Sequence, residues 1–392
     1  MGSMDERVVR APGVSAQQIE RLGLPHMAHL VEEEYFVPLA VGITEQEREA
    51  YAWLAATWYA DYCAALDEVL RGPFREEFGL SPKLWTLAAE CWAERDHHPH
   101  SFGRFDVAGI VDDSPGHLIE FNADTATVLA EAALIQDVQI GREKTWNHLL
   151  PELADGLSAA AAARDPADRN VLVVTLGHPE DDDNARVWLR AAQQAGLYTE
   201  LAHLPSVHFS EEGVYRQLGP DAWTRFGIVV KLFPWDWIDA EEPGLLDELA
   251  ALIRSGQVLV LNPPYASLMQ SKAMLAELHR RHRDEGRYLR AGWGPQPPNE
   301  DMAYVTKPVF GREGENVTIC TAGHQRLAET GGSYDAQPRI WQALTQLPTD
   351  ETGHTYQAGV YVAGGVPVAL AWRRRDGPIV DEDSQFVAGF VA

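Results

Sequence analysis

Residues 102–135 read FGRFDVAGIVDDSPGHLIEFNADTATVLAEAALI, and the fold of the whole chain turns on how this stretch is understood. Two short runs rich in apolar residues flank Asp112-Asp113-Ser114-Pro115-Gly116, a cluster of turn formers, so the spacing predicts a β-hairpin. Side chains two positions apart on a strand share a face, which places Arg104 with Asp106 on one arm and Glu120 with Asn122 on the other. Four polar groups then converge. Carboxylates and an amide carbonyl are hard oxygen donors of the kind Mg²⁺ uses when it shares a nucleotide's phosphates, and Arg104 is suited to a phosphoryl oxygen. A solvated hairpin face with incidental ion pairs has the same spacing, so the pattern alone leaves both readings open.

Upstream, Thr44 and Glu47 have capping-box spacing, and Ala52, Leu54, Ala55, Trp58, Tyr59, Tyr62 and Leu66 recur at helical intervals, predicting a long amphipathic helix over 44–70. A second helix is expected from Ser81-Pro82 through Leu84, Leu87, Ala88 and Cys91. Downstream, an Ala-rich helical segment over 152–163 precedes apolar strands at 171–176, 227–233 and 258–261, with helices at 185–195 and 245–253 between them. That alternation predicts a small α/β domain with a parallel sheet over 165–262. Beyond it come a helix running through Lys272 and Leu278, a strand at 303–309, and a hairpin of 356–362 with 366–372 around Ala363-Gly364-Gly365.

Composition narrows the function classes. The chain has 392 residues, of which 45% are hydrophobic and 23% charged, an ordinary globular balance. With 32 Lys plus Arg against 58 Asp plus Glu, the net charge of -26 repels phosphate backbones and anionic lipid, and it favours cationic small molecules. Nucleic acid and membrane are therefore not expected as partners. The three cysteines, Cys63, Cys91 and Cys320, are widely spaced and suit a reducing cytoplasm. No long apolar run predicts a membrane span or a leader, and Glu6 stands where a myristoylation motif wants Ser or Thr. His97, His98 and His100 invite a metal reading, but Pro99 breaks the helix that would be needed to aim them together. Neither a GxSxG elbow nor a GxGxxG fingerprint occurs.

A second constellation follows the hairpin at a distance. Lys307 precedes Gly311-Arg312-Glu313-Gly314-Glu315-Asn316, where glycines permit close backbone approach to phosphates and the lysine can neutralise them. The Walker order is absent, and a glycine-rich hairpin turn reads the same way. Lys272 follows the turn-rich Asn262-Pro263-Pro264-Tyr265.

Taken in order, GRFDVAG, IEFNADTATVLAEA, FPWDW, NPPYASLMQSKAML, VTKPVFGREGENV, SYDAQPRIWQALTQLP and RDGPIVDEDSQFVAGF resemble the synthetase domain of glutathionylspermidine synthase and its stand-alone relatives. The resemblance implies a circularly permuted ATP-grasp fold of α/β (α+β) class carrying an inserted small α/β (pre-ATP-grasp) domain. It implies a flexible N-terminus over 1–17, an ATP-grasp part over 18–150 with the metal-binding hairpin, the insertion over 151–263, and a second ATP-grasp part over 264–392. By the same resemblance Asp106, Glu120 and Asn122 would hold Mg²⁺, two ions being expected, and Arg104 would contact the transferred phosphoryl group. Lys272, Lys307, Gly311, Gly314 and Gln342 would bind ATP, Arg312 would act as a lid cation, and Thr125, Thr127 and Arg373 would contact the carboxylate substrate.

The implied activity is an ATP-dependent carbon–nitrogen ligase that makes an amide through an acylphosphate, from a peptide or amino-acid carboxylate and a small amine. Asp381, Glu382 and Asp383 are acidic candidates for taking the amine's proton. The chain lacks the layout of the cysteine-dependent amidase domain found in bifunctional members, and its Arg373-Arg374-Arg375 run is denser than the family pattern. The same site would also serve a regulatory nucleotide-binding protein or a phosphotransferase that forms no amide.

Overall fold

The computed structural model describes residues 4–109, 116–220, 222–299 and 301–392; the turn residues Asp112 to Pro115 lie outside the described residues. The chain opens with β1 (Val8–Arg10), β2 (Phe36–Ile43), β3 (Phe102–Ala108) and β4 (His117–Asn122). Its middle carries β5 (Val171–Thr175), β6 (Thr199–His203), β7 (Val207–Ser210), β8 (Gly213–Gly219), β9 (Ala222–Phe226), β10 (Ile228–Lys231) and β11 (Leu259–Leu261). The remainder holds β12 (Ala291–Trp293), β13 (Tyr304–Pro308), β14 (Thr318–Cys320), β15 (Arg326–Glu329), β16 (Arg339–Ala343), β17 (His354–Ala363), β18 (Val366–Asp376) and β19 (Gln385–Val391).

These strands form a seven-stranded sheet, β1-β2-β19-β18-β17-β3-β4, and a five-stranded sheet, β12-β16-β13-β14-β15. A four-stranded sheet, β11-β10-β5-β6, is parallel throughout, as the alternation of strands and helices predicted. The antiparallel trio β7-β8-β9 was not anticipated. Its strands are short and only partly buried, so the hydrophobic periodicity that marks a strand is weak there.

The arms at 102–108 and 117–122 pair antiparallel, with Arg104 opposite Asn122, Phe105 opposite Phe121 and Asp106 opposite Glu120. Alternation along each arm sends Phe105 and Phe121 to the core, where their rings stack at 3.9 Å, and sends the polar residues to the other face. The helix Glu45–Val69, capped by Thr44 and Glu47 as expected, lays Trp58 and Tyr62 on that pair; Tyr62 meets Phe121 edge-on at 5.1 Å. The polar face of the hairpin is thus set by what its back face buries.

Residues 4–17 carry regular structure: β1 pairs with β2, and Ser15 with Gln18 caps the helix Ala16–Arg21. Met4 is fully buried, which anchors the start of the chain. The helix expected to run through Lys272 is instead two, Ala266–Gln270 and Ala273–Arg281. The Lys272 amide donates to the Val309 carbonyl at 2.9 Å rather than to the preceding turn, and this diversion breaks the helix. The hairpin of β17 and β18 turns at Gly364 and Gly365, both at positive φ, as the glycine pair predicted. Among the described residues no helix is long and apolar enough to cross a membrane.

Phe121→Ala should remove the stacked partner of Phe105 and leave a cavity under the hairpin, at a cost of about 3–5 kcal/mol. The check is a lowered denaturant midpoint at unchanged slope.

Candidate active site

The polar face of β3 and β4 looks across a cleft at the five-stranded sheet, and the loop 311–316 borders it. The cleft is open to solvent at its mouth. It is lined by Arg104, Asp106, Glu120, Asn122, Thr125 and Thr127 from the hairpin side, and by Lys272, Lys307, Gly311, Arg312, Gly314, Gln342 and Arg373 from elsewhere. The structure therefore brings to one place the thirteen residues to which the resemblance gave metal, ATP or substrate roles. Gln270, Gln357 and an apolar wall that includes Val305, Ile319 and Leu344 complete it, and these were missed. Their residue types are ordinary core and strand residues, so only the fold marks them.

Charge on the hairpin is arranged in an alternating chain. Arg104 donates to both oxygens of Asp106, at 2.6 and 3.1 Å, and its remaining arm donates to the Thr127 carbonyl at 2.6 Å. Burial opposes the guanidinium's charge, but the Asp106 carboxylate outweighs it and raises the Arg104 pKa. Gly359 lies opposite Asp106 on β17, and a Cβ there would stand 2.9 Å from Arg104 Cδ, so this glycine makes room for the arginine. Asn122 Nδ2 donates to Asp106 at 3.1 Å and reaches toward Glu120 at 3.5 Å, tying the two carboxylates together.

Two lysines meet these carboxylates from across the cleft. Lys272 Nζ lies 3.2 Å from Glu120 and donates to the Gly311 carbonyl at 2.6 Å. Burial alone would raise the Glu120 pKa, yet Lys272 and then Lys307 pull it down to about 2. Lys307 Nζ donates to the Ile119 carbonyl at 2.9 Å, and burial, with Lys272 adding repulsion, brings its own pKa down to about 8 despite Glu120. Gln342 on β16 donates to the Leu118 carbonyl at 3.0 Å. Both contacts fasten the five-stranded sheet to β4. Among the described residues no group of three or more His, Cys, Asp or Glu side chains stands ready for a metal ion. The hairpin face of the cleft offers the Asp106 and Glu120 carboxylates and the Asn122 amide, whose oxygen chemistry suits a hard cation that takes its other ligands from phosphate and water.

The loop 311–316 is held by the helix Trp235–Glu241 and by Tyr334. Arg312 donates to Asp236 at 2.6 Å, at the start of the helix Trp235–Glu241, and to the Tyr334 hydroxyl at 3.3 Å. Gly314 at φ +71 follows Glu313 at φ +51, so the turn uses consecutive left-handed residues, one of them glycine. Behind it, the buried Asp124 accepts from Lys231 at 2.6 Å and from the Trp235 amide at 2.7 Å, while its own amide donates to Gln270 at 2.8 Å. Asp124 carries no sequence signal beyond its place in the hairpin's exit.

A second pocket adjoins the first and shares Thr127, Glu313 and Arg373 with it. Its walls include Glu33, Glu131, Glu180, Glu382 and Asp383, a strongly acidic set. Of the proton acceptors considered from the sequence, Glu382 and Asp383 line this pocket and Asp381 does not; Arg375 pairs with both Asp381, at 3.0 Å, and Asp383, at 3.2 Å. The histidines 97, 98 and 100 lie away from both: His100 is buried with Nε2 2.6 Å from the Ala123 carbonyl. Cys63, Cys91 and Cys320 are free thiols.

The family model described as glutathionylspermidine synthase preATP-grasp matches residues 8–392. The chain is 24% identical to a putative acid–amine ligase of Haemophilus influenzae over 82% of each chain. It is 25% identical to trypanothione synthetase of Crithidia fasciculata, covering 79% of this chain but only 50% of that protein. A solved glutathione synthetase-like effector from Globodera pallida, in its apo form, superposes with a TM-score of 0.50 at 10% identity over 90% of this chain and 89% of that one. The likeness is one of fold: a mixed α/β chain with several sheets.

Asp124→Asn should strand the Lys231 ammonium in the core and lower stability by about 3–5 kcal/mol. Adding Lys231→Met is expected to restore much of the loss, and equal losses in the single and double variants by denaturant unfolding would contradict the pairing.

Proposed function

The chain belongs to the glutathionylspermidine synthase preATP-grasp family and is a carbon–nitrogen ligase in type, and from that premise we propose that it joins a carboxylate to an amine using Mg-ATP through an acylphosphate. The observation that carries the reading is the single cleft in which Arg104, Lys272 and Lys307 stand around Asp106 and Glu120. That distribution suits a polyphosphate, whose negative charge needs several cations and whose metal needs oxygen donors.

In this reading Lys272, Lys307, Gly311, Gly314 and Gln342 bind ATP, and Arg104 faces the phosphoryl group in transfer. Asp106 and the Thr127 carbonyl fix the guanidinium so that it needs no rearrangement as charge develops. Asp106, Glu120 and Asn122 would hold Mg²⁺, as one or two ions, whose chemistry is to neutralise phosphate charge. A carboxylate oxygen attacks the γ-phosphorus and ADP leaves; the amine nitrogen then attacks the acyl carbon and phosphate leaves. Thr125, Thr127 and Arg373 receive the carboxylate substrate, and Arg312 with the loop 311–316 shields the acylphosphate from water.

The acidic second pocket supports a cationic small amine as the other substrate, since Glu180, Glu382 and Asp383 would favour it over neutral competitors. The seven-stranded sheet, in which β17–β19 from the end of the chain stand between β2 and β3 from its start, supports a circularly permuted chain order with a division at 150/151 and 263/264. Free thiols favour a reducing cytoplasm.

The experiment is ADP release with Mg-ATP across carboxylates crossed with amines, with mass spectrometry of the products. A mass equal to both substrates minus water establishes the ligase; a stable phosphorylated product would establish phosphoryl transfer alone, and ATP binding without turnover a regulatory role. Asp106→Asn is expected to lower turnover at least a hundredfold in a protein that still folds, and undiminished turnover would remove Asp106 from the site.

Lys307 gives a pH test. Its pKa near 8 in the free protein rises when phosphate binds, so ATP affinity is flat below about pH 7 and falls toward tenfold per unit above 8. Lys307→Arg should flatten that fall, and calorimetric affinities that decline equally in both proteins would contradict the role.

A further inference from the structure

This inference rests on the amine subsite proposed above and concerns two residues at its base. The segment after the hairpin is built unusually. Val128, a β-branched residue, sits at φ +61, where such side chains are rare. Its carbonyl accepts from the Tyr361 hydroxyl at 2.8 Å, and the Asn184 side chain accepts from the Leu129 and Ala130 amides at 3.0 and 3.2 Å. The helix that follows contains a π-helical stretch, Glu131–Ile135, a local widening frequent at functional sites. Glu131 opens that stretch. Its Oε2 is buried without a hydrogen-bond partner, and its Oε1 accepts from the Tyr35 hydroxyl at 2.7 Å. Tyr35 is half-buried, and both residues line the acidic pocket beside Thr127 and Arg373.

We propose that Tyr35 and Glu131 form a proton relay for the attacking amine. As the nitrogen's lone pair forms the new C–N bond, the acyl C–O bond breaks and phosphate leaves with the bonding pair. The proton shed by the nitrogen goes to the Tyr35 oxygen, whose own proton passes to Glu131 Oε1. Tyr35 ends as it began, and Glu131 changes from carboxylate to carboxylic acid. Tyr35 is the catalytic group because it meets the amine; Glu131 acts through it.

The surroundings of Glu131 fit this use. Tyr35 precedes β2, Tyr361 projects from β17, Glu180 from the helix Pro179–Gln194 and Arg373 from β18, with Glu313 and Glu382 farther around the pocket. Burial pushes the Glu131 carboxyl up to about 7; the Tyr35 hydrogen bond opposes this and Glu180 adds to it. A carboxyl poised there exchanges protons readily at neutral pH.

Two measurements on the full chain test the relay. Spermidine serves as the amine probe, and its binding is followed by calorimetry at pH 6.5 in buffers of different ionisation enthalpy. A cation beside a mostly protonated Glu131 should expel a fraction of a proton, and Glu131→Gln should remove at least half of that release. Equal release in the two proteins, or no spermidine binding, overturns the proposal. For the chemistry, glutathione with Mg-ATP is offered spermidine or hydroxylamine, a nucleophile that is neutral at pH 7 and needs no base. In Glu131→Gln and Tyr35→Phe the ratio of amide to hydroxamate should fall about a hundredfold, the usual reach of general-base assistance. The wild-type inflection near pH 7 should vanish from the amide rate, and Glu131→Asp should regain part of it. Equal loss of both products would mark Glu131 as structural and overturn the relay. If the wild type releases no ADP with any carboxylate, the ligase reading fails, while the calorimetry still judges Glu131.

Discussion

The buried ion pair between Asp124 and Lys231 is the constraint on which the site depends. Each side chain is about 1% exposed, so neither charge has water to fall back on. Burial pushes the Asp124 pKa up and the Lys231 pKa down, and the attraction between them holds the charges in place. Asp124 stands just beyond β4, at the exit of the hairpin of β3 and β4, and Lys231 ends β10 of the parallel sheet. The same carboxylate takes the Trp235 amide, which starts the helix whose Asp236 holds Arg312. One buried contact therefore sets the hairpin, the parallel sheet and the loop relative to each other. Asn262 works beside it: its side-chain amide bridges the backbone of Ser101, Phe102, Ala123 and Asp124.

The cleft illustrates how charge is stored for a ligand. Arg104 leans on Asp106, Lys272 on Glu120, and Lys307 on a backbone carbonyl, so each cation has a partner that a phosphate can replace or join. The arrangement keeps Glu120 ionised far below its ordinary range and leaves Lys307 poised near 8. A binding site built from mutually satisfied opposite charges is stable while empty and responsive when a polyanion arrives.

Much of this was legible in the residues. The i, i+2 polar pairs in 102–122, the Thr44 capping box, the strand–helix alternation over 165–262 and the Gly364-Gly365 turn all appear where local rules put them. The rules failed where a long-range contact overrode them. Lys272 looks helical until Val309 takes its amide. The strand β2, written FVPLAVGI, was not assigned because Pro38 interrupts its pattern; its parallel partner β19 lies at the other end of the chain.

The sequence by itself determined which chemistry was available: oxygen donors and cations at spacings that share a strand face, glycines where the backbone must turn left-handed, and a net charge hostile to nucleic acid and anionic lipid. Local periodicity and residue type suffice for that, because they act over a few residues. Only the tertiary structure decided that these groups meet in one cleft, that Glu131 and Tyr35 face the adjoining acidic pocket, and that Asp124 ties the hairpin to the parallel sheet. Those are contacts between residues about a hundred positions apart, formed by packing and burial, and no spacing rule along the chain encodes them.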